Sequence, residues 1–403
     1  MSGTAADPRF ASVRQAPRRQ VRLSWSDPRL RNVFWQVVVI GAVVLLVWYL
    51  IGNTRRNLEA RHIATGFGFL SQSAAIPIGE SPIPYTPSVS TYGRALLIGI
   101  LNTLRVSVIG VVLATVLGTL VGIGRLSKNL LVAKITAVYV ETLRDIPVLL
   151  QLFFWYGLLQ HLPAARQALH PIPGVFLSIR GIKLPDLIWE GAHSAAVVAF
   201  LIGAVLTWMW SRQAAQRQAR TGRRPRTWPV ALLLLIALPI GVWAALGAPF
   251  TLDVPALRGF NFQGGMTLSP EFAALLVGLV IYTSSYIAEI VRSGIEAVAQ
   301  GQWEAAFALG LPHGLVLRQI VLPQALRVIV PPMTSQYLNL IKNSSLAVAI
   351  GYQDIVSIAG TTLNQTGQAI EGVAIIMAVY LTFSLSISAF MNWYNAHIAL
   401  VER

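Results

Sequence analysis

Cysteine is missing from all 403 residues, so disulfides, thiolate metal sites and cysteine nucleophiles are excluded. No Gly-Lys dipeptide occurs, which rules out a phosphate-binding loop of the G-x-x-x-x-G-K-[ST] type. Neither a G-x-S-x-G elbow nor an H-E-x-x-H zinc helix is present. The six histidines stand at positions 62, 161, 170, 193, 313 and 397, with no metal-ligand spacing. No catalytic residue, metal site or resident cofactor is therefore expected. Charge is also scarce: 12% of residues are Asp, Glu, Lys or Arg, against about 25% in soluble domains.

What fills the chain is apolar. Hydrophobic residues make up 55% and the mean hydropathy is +0.61. Residues 33–51 form a 19-residue run without a charge, about the length that crosses a bilayer. Arg55-Arg56 follow it rather than a small-residue cleavage site, so it reads as an uncleaved first span. Further spans are expected within 92–124 (uncharged over 106–123), 131–162, 194–210, 228–246, 272–291, 326–361 and 369–390, about eight in all. The RALLIGILNTLR piece before residue 106 is amphipathic and suits the membrane edge. Polar, proline-bearing stretches at 52–92, 163–193 and 248–267 read as loops on one side.

The excess of basic residues orients these spans. The net charge is +15, and of 31 basic residues seven precede residue 33 and six lie between Ser211 and Thr227. Both clusters flank apolar runs, as cytoplasmic loops do, which puts both termini and Glu304 in the cytoplasm. Anionic lipid headgroups account for the charge and nucleic acid is not implied.

Charges inside apolar segments need partners, because an isolated one costs roughly 2.5–3.5 kcal/mol at a helix centre. Glu141, Arg144 and Asp145 share a helical face in 131–162, and Glu289 pairs with Arg292 at i,i+3. These groups are either charge pairs at the inner mouth of the spans or elements of a transport path. Gln151, Asn343, Ser344 and Asn364 are polar candidates for the same path, or partners for backbone freed where helices break.

One stretch stands apart. Residues 300–323, QGQWEAAFALGLPHGLVLRQIVLP, hold an alanine-rich helix, Gly310 at a left-handed cap, and a second helix opened by Leu311-Pro312. The pattern predicts a helical hairpin in water between membrane spans. Glu304-Ala305-Ala306, Gly310, Ile320 and Leu322-Pro323 match every fixed position of E-A-A-x3-G-x9-I-x-L-P. That signature resembles the permeases of ATP-binding-cassette (ABC) importers. Tyr139-Val140-Glu141, Arg144, Pro147, Leu149 and Gln151 are similar to the Y-V-E-x-x-R-x-x-P-x-L-x-Q stretch of the polar amino-acid branch. Ser269-Pro270-Glu271-Phe272, Ile281-Tyr282-Thr283, Ala288 to Arg292 and Lys342 to Leu346 also resemble that branch. The extra first span, Gly66 to Leu70 and a two-span insertion resemble the longer permease of general L-amino-acid uptake systems.

The resemblance implies an all-α integral membrane protein with a type I, MetI-like permease core and a cytoplasmic coupling loop. It implies this organisation: an N-terminal tail, 1–32; an extra span with its outer loop, 33–91; a first core segment, 92–162; an insertion, 163–268; and a second core segment, 269–403. The function implied is a permease subunit in a bacterial inner membrane, moving L-amino acids inward by alternating access. Its implied partners are an ATPase dimer using ATP and magnesium, a second permease and a periplasmic binding protein. From residues alone, an ion-coupled secondary transporter using Glu141 or Glu289 is the alternative.

Overall fold

The computed structural model describes residues 28–60, 65–222 and 225–398. Residues 1–27 of the expected tail and two residues of the arginine loop (Arg223 and Arg224) lie outside them, while residues 28–32 open the first helix rather than belonging to a tail. The chain divides into two compact units, Met1–Thr65 and Gly66–Arg403. The first is represented by one helix, α1 (Pro28–Ala60).

The second unit begins with α2 (Tyr92–Arg125), which starts where the Thr91 side chain accepts from the Arg94 N–H at 3.3 Å. The piece expected at the membrane edge is thus the first three turns of a continuous 34-residue helix. Next come α3 (Leu130–Asp145) and α4 (Val148–Gln160). Pro147 separates them, since proline drives the residue before it, Ile146, into extended backbone. The expected crossing at 131–162 is consequently two helices, the second only 13 residues long.

The insertion at 163–268 contains strand as well as helix, which corrects the expectation of plain loops. Strands β1 (Leu169–Ile172), β2 (Val175–Ser178) and β3 (Gly181–Leu184) form an antiparallel meander, followed by β4 (Asp186–Leu187). Helix α5 (Gly191–Thr221) then leads away, and α6 (Trp228–Leu232) and α7 (Leu238–Ala245) lead back. After them come β5 (Leu252–Asp253), β6 (Ala256–Arg258), β7 (Asn261–Gln263) and β8 (Met266–Leu268). β5 pairs with β4 and β8 with β3, both antiparallel. The helical excursion is therefore tied shut at its base by backbone hydrogen bonds.

The second core segment opens with α8 (Pro270–Glu296), capped by the Ser269 hydroxyl, with proline and Glu271 in the first turn. α9 (Gln300–Ala308) and α10 (His313–Val316) follow, then α11 (Leu322–Asn343), α12 (Ile355–Thr366) and α13 (Ala369–Ile398). A π-turn over Leu317–Val321 joins α10 to α11, and another over Leu233–Ala237 joins α6 to α7. Each precedes a Leu-Pro pair, where the wider turn absorbs the donor that proline lacks. Pro331 and Pro332 lie inside α11 without ending it.

Among the described residues seven helices are long and apolar enough to cross a membrane: Arg31–Asn57, Tyr92–Arg125, Gly191–Thr221, Trp228–Ala245, Pro270–Glu296, His313–Ile350 and Ala369–Ala396. Helix α8 is the hub of the second unit, with buried residues along its whole length. Its preceding strand and the following hairpin define two opposite ends, a sheet end and a hairpin end. Along α2, Gly110, Ala114, Gly118 and Gly122 recur every fourth residue and face α8 or α11. Gly278 and Gly294 of α8 give the same close approach to Leu152 of α4 and Ile329 of α11.

A Cβ at Gly122 would stand 2.6 Å from the Ala288 carbonyl oxygen and 2.9 Å from Val291 Cβ. Backbone cannot step aside, so Gly122→Ala should destabilise by about 1–3 kcal/mol. Gly157→Ala, with nothing within 4 Å of its added carbon, should not. Melting of the two variants in detergent checks this, and equal midpoints would refute the tight α2–α8 seam.

Candidate functional site

At the hairpin end, α9 closes with a two-bond Schellman cap. The Gly310 N–H donates to Phe307 O at 2.9 Å and the Leu311 N–H to Ala306 O at 3.3 Å. Gly310 has φ +73°, the conformation that favours glycine. Pro312 then starts α10. An aromatic clasp holds the two helices together: Phe307 stacks on His313 at 5.4 Å and 11°, with Trp303 6.0 Å from the same ring.

The hairpin has two faces. Val298, Ala306, Val316 and Val321 are buried in the same cluster as Val291, Ala325 and Ile329 of the bundle, and half-buried Ile320 packs against it. Glu304, Ala305, Phe307 and Leu309 are exposed, Leu309 by 78%. Leu322 and Pro323 are exposed at the foot of α11, where Gln324 Nε2 donates to the Ile320 carbonyl at 3.0 Å. The signature residues thus divide between anchoring the hairpin (Ala306, Ile320), shaping its turn (Gly310) and facing outward (Glu304, Ala305, Leu322, Pro323).

Charges gather beside it. Arg125, at the end of α2, pairs with Glu289 of α8 and lies 3.9 Å from Glu141 of α3. Arg292 pairs with Glu289 at the predicted i,i+3 spacing and with Glu296, both at 2.5 Å. Arg144 lies over the Tyr286 ring at 5.0 Å. Glu141 and Arg144 share a helix face, as expected, yet each finds its partner on another helix. Arg125 is not among the residues that the sequence singles out, because its acidic partners lie on other helices.

The remaining path candidates separate. Gln151 is buried, and its amide donates to Leu143 O at 2.8 Å and Ile146 O at 3.0 Å, carbonyls freed by the break at Pro147. Ser344, also buried, donates to Ile341 O at 2.7 Å. Asn343 is half-buried at the end of α11, and Asn364 is exposed on α12. No common site brings these four together.

A second polar region occupies the sheet end. Arg105 of α2 reaches Glu80 at 3.1 Å and lies over the Phe272 ring at 4.4 Å. Gln353 clamps the segment before Glu80, accepting from Gly79 N–H and donating to Pro77 O. Thr103 accepts from the Ile355 N–H at 3.1 Å, and Asp354 caps Ser357, so the start of α12 hangs on α2. Nearby in the sheet, burial and the Arg180 guanidinium push the Lys183 amine below its ordinary value. Asn102 and Arg105, three apart in an apolar helix, were the available signal.

Known proteins share this chain's pattern over most of its length. Residues 220–399 match the family described as binding-protein-dependent transport system inner membrane component. The putative amino-acid ABC transporter permease protein YhdX of Escherichia coli (strain K12) is 50% identical over 94% of this chain and 97% of its own length. The general L-amino acid transport system permease protein AapQ of Rhizobium johnstonii is 49% identical over 95% of this chain and 96% of its own. BztB of Rhodobacter capsulatus, the glutamate/glutamine/aspartate/asparagine transport system permease protein, is 42% identical over 98% of this chain and 100% of its own. At that identity, over almost entire lengths, the chain belongs to the permeases of amino-acid ABC transporters.

Proposed function

We propose that this chain forms one wall of the membrane path of an importer that carries L-amino acids inward, driven by an ATPase that docks on residues 300–323. The observation that carries the reading is the two-faced hairpin. Its inner face is fused to the bundle core, while Glu304, Ala305 and Leu309 are offered to a partner. A motor drives a conformational change only if it binds the two states differently. A rigidly anchored hairpin passes that difference to α8 and α11. The relatives named for general L-amino acids and for glutamate, glutamine, aspartate and asparagine support an amino-acid cargo.

The same reading supplies the other partners: a second permease, a binding protein delivering cargo at the sheet end, and ATP and magnesium held by the ATPase. The Arg125–Glu289–Arg292 cluster then lies at the inner mouth as a gate element, and the termini face the cytoplasm. An ion-coupled transporter is not favoured by membership of this family.

Glu304→Lys reverses an exposed charge, and Gly310→Val forces a β-branched residue to positive φ, a strain of about 1–2 kcal/mol. Both variants should insert normally and lose more than tenfold of ATP-dependent uptake in proteoliposomes with binding protein. Normal uptake by either would remove the hairpin from the coupling step. Sidedness is checked separately in this cysteine-free chain. An impermeant maleimide should label Phe260→Cys in intact cells and Leu309→Cys only after permeabilisation. The reverse pattern inverts the topology.

A further inference from the structure

The polar region at the sheet end surrounds a cavity of about 720 Å³, lined by groups of both charges. Its walls come from residues 79–82, α2, the sheet, the start of α8 and residues 351–353. Glu80 occupies a recognisable seat. One carboxylate oxygen takes Arg105 Nη1 at 3.1 Å and the other takes the Ser269 N–H at 2.6 Å. A guanidinium plus a backbone N–H at a helix start is the donor set that a free carboxylate seeks. The Phe272 ring keeps the guanidinium in place.

Beside the seat are acceptors without donors. Asn102 is fully buried, and its Nδ2 donates to Glu80 O at 3.1 Å and Gln353 O at 3.0 Å. Its Oδ1 has no hydrogen-bond partner among the described residues, and neither has the hydroxyl of Tyr352, 3% exposed. Folded proteins seldom leave buried polar atoms unsatisfied, and those that remain call for a ligand or a role. Both residues line the cavity, and so does Glu271, two residues beyond Ser269. Two hydrogen-bond acceptors and a carboxylate suit an ammonium group.

We propose that this cavity binds a free α-amino acid by its head group, resting on the reading of the chain as an amino-acid permease. The ligand carboxylate replaces that of Glu80 on Arg105 and the Ser269 N–H. The ligand ammonium is received by Asn102 Oδ1 and the Tyr352 hydroxyl. Glu80 is a tethered competitor, holding the seat until cargo displaces it. The volume beyond the head group leaves room for side chains of different sizes.

The test uses the complete transporter in lipid nanodiscs without binding protein, and radiolabelled L-glutamine as probe. Glu80→Gln should bind about tenfold more tightly than wild type, since a neutral amide competes less well for Arg105. L-Glutaminamide, which lacks the carboxylate, should not displace the probe. Arg105→Gln alone would strand Glu80, so the second variant is the pair Glu80→Gln with Arg105→Gln, which should fold and lose binding. Equal affinity in wild type and Glu80→Gln, no binding by either, or competition by the amide would overturn the site. ATP-dependent uptake of L-glutamine by the wild-type complex with binding protein is measured in parallel. Failure of that uptake removes the functional reading itself, whereas normal uptake with unaltered binding removes only this site.

Discussion

The close approach of α2 to α8 is the contact on which the second unit depends. Lipid tails are as apolar as leucine, so burying hydrophobic side chains gives helices in a membrane little reason to associate. Small residues supply the reason instead, because they let backbones meet and gain dispersion contacts along their length. Gly118 and Gly122 meet Ile287, Ser284 and Ala288 at distances that exclude even a methyl group. Held this way, α8 serves as the rod to which α4 and α11 attach through Gly278 and Gly294. One end of the rod carries the sheet and the other the helical hairpin.

Breaks in the helices are tolerated because side chains replace the missing backbone bonds. Gln151 closes the carbonyls before Pro147, and Thr103 receives the first N–H of α12. Such substitutions matter more at membrane depth, where no water can stand in. They also explain why polar residues in the spans are poor guides to a transport path. Several of them serve the backbone.

The sequence made the spans legible because length and uniform apolarity are read without knowing any contact. The hairpin was legible too: Gly310 and Pro312 set its turn by local sterics alone. Other features depend on partners far along the chain. Strand pairing between β3 and β8 joins residues some 80 apart, across short segments that share no strong alternation. Arg105 and Glu80 lie 25 residues apart, and nothing local announces that they meet. Arg125 carries no local signal either, because its acidic partners are on α3 and α8. Proline is no simple guide, since Pro331 and Pro332 stand inside α11 without ending it.

That π-turn at Leu317–Val321 gives the α10–α11 rod a soft joint. Wide turns with weaker hydrogen-bond geometry, next to a residue that donates none, are where helices bend most readily. The joint sits just above the hairpin, whereas α8 is a single α-helix over its 27 residues. A push delivered to the hairpin therefore meets two limbs of unequal stiffness. Any displacement of the hairpin would bend this joint before it bends α8, so it would reach the far end of the molecule through α8 rather than α11.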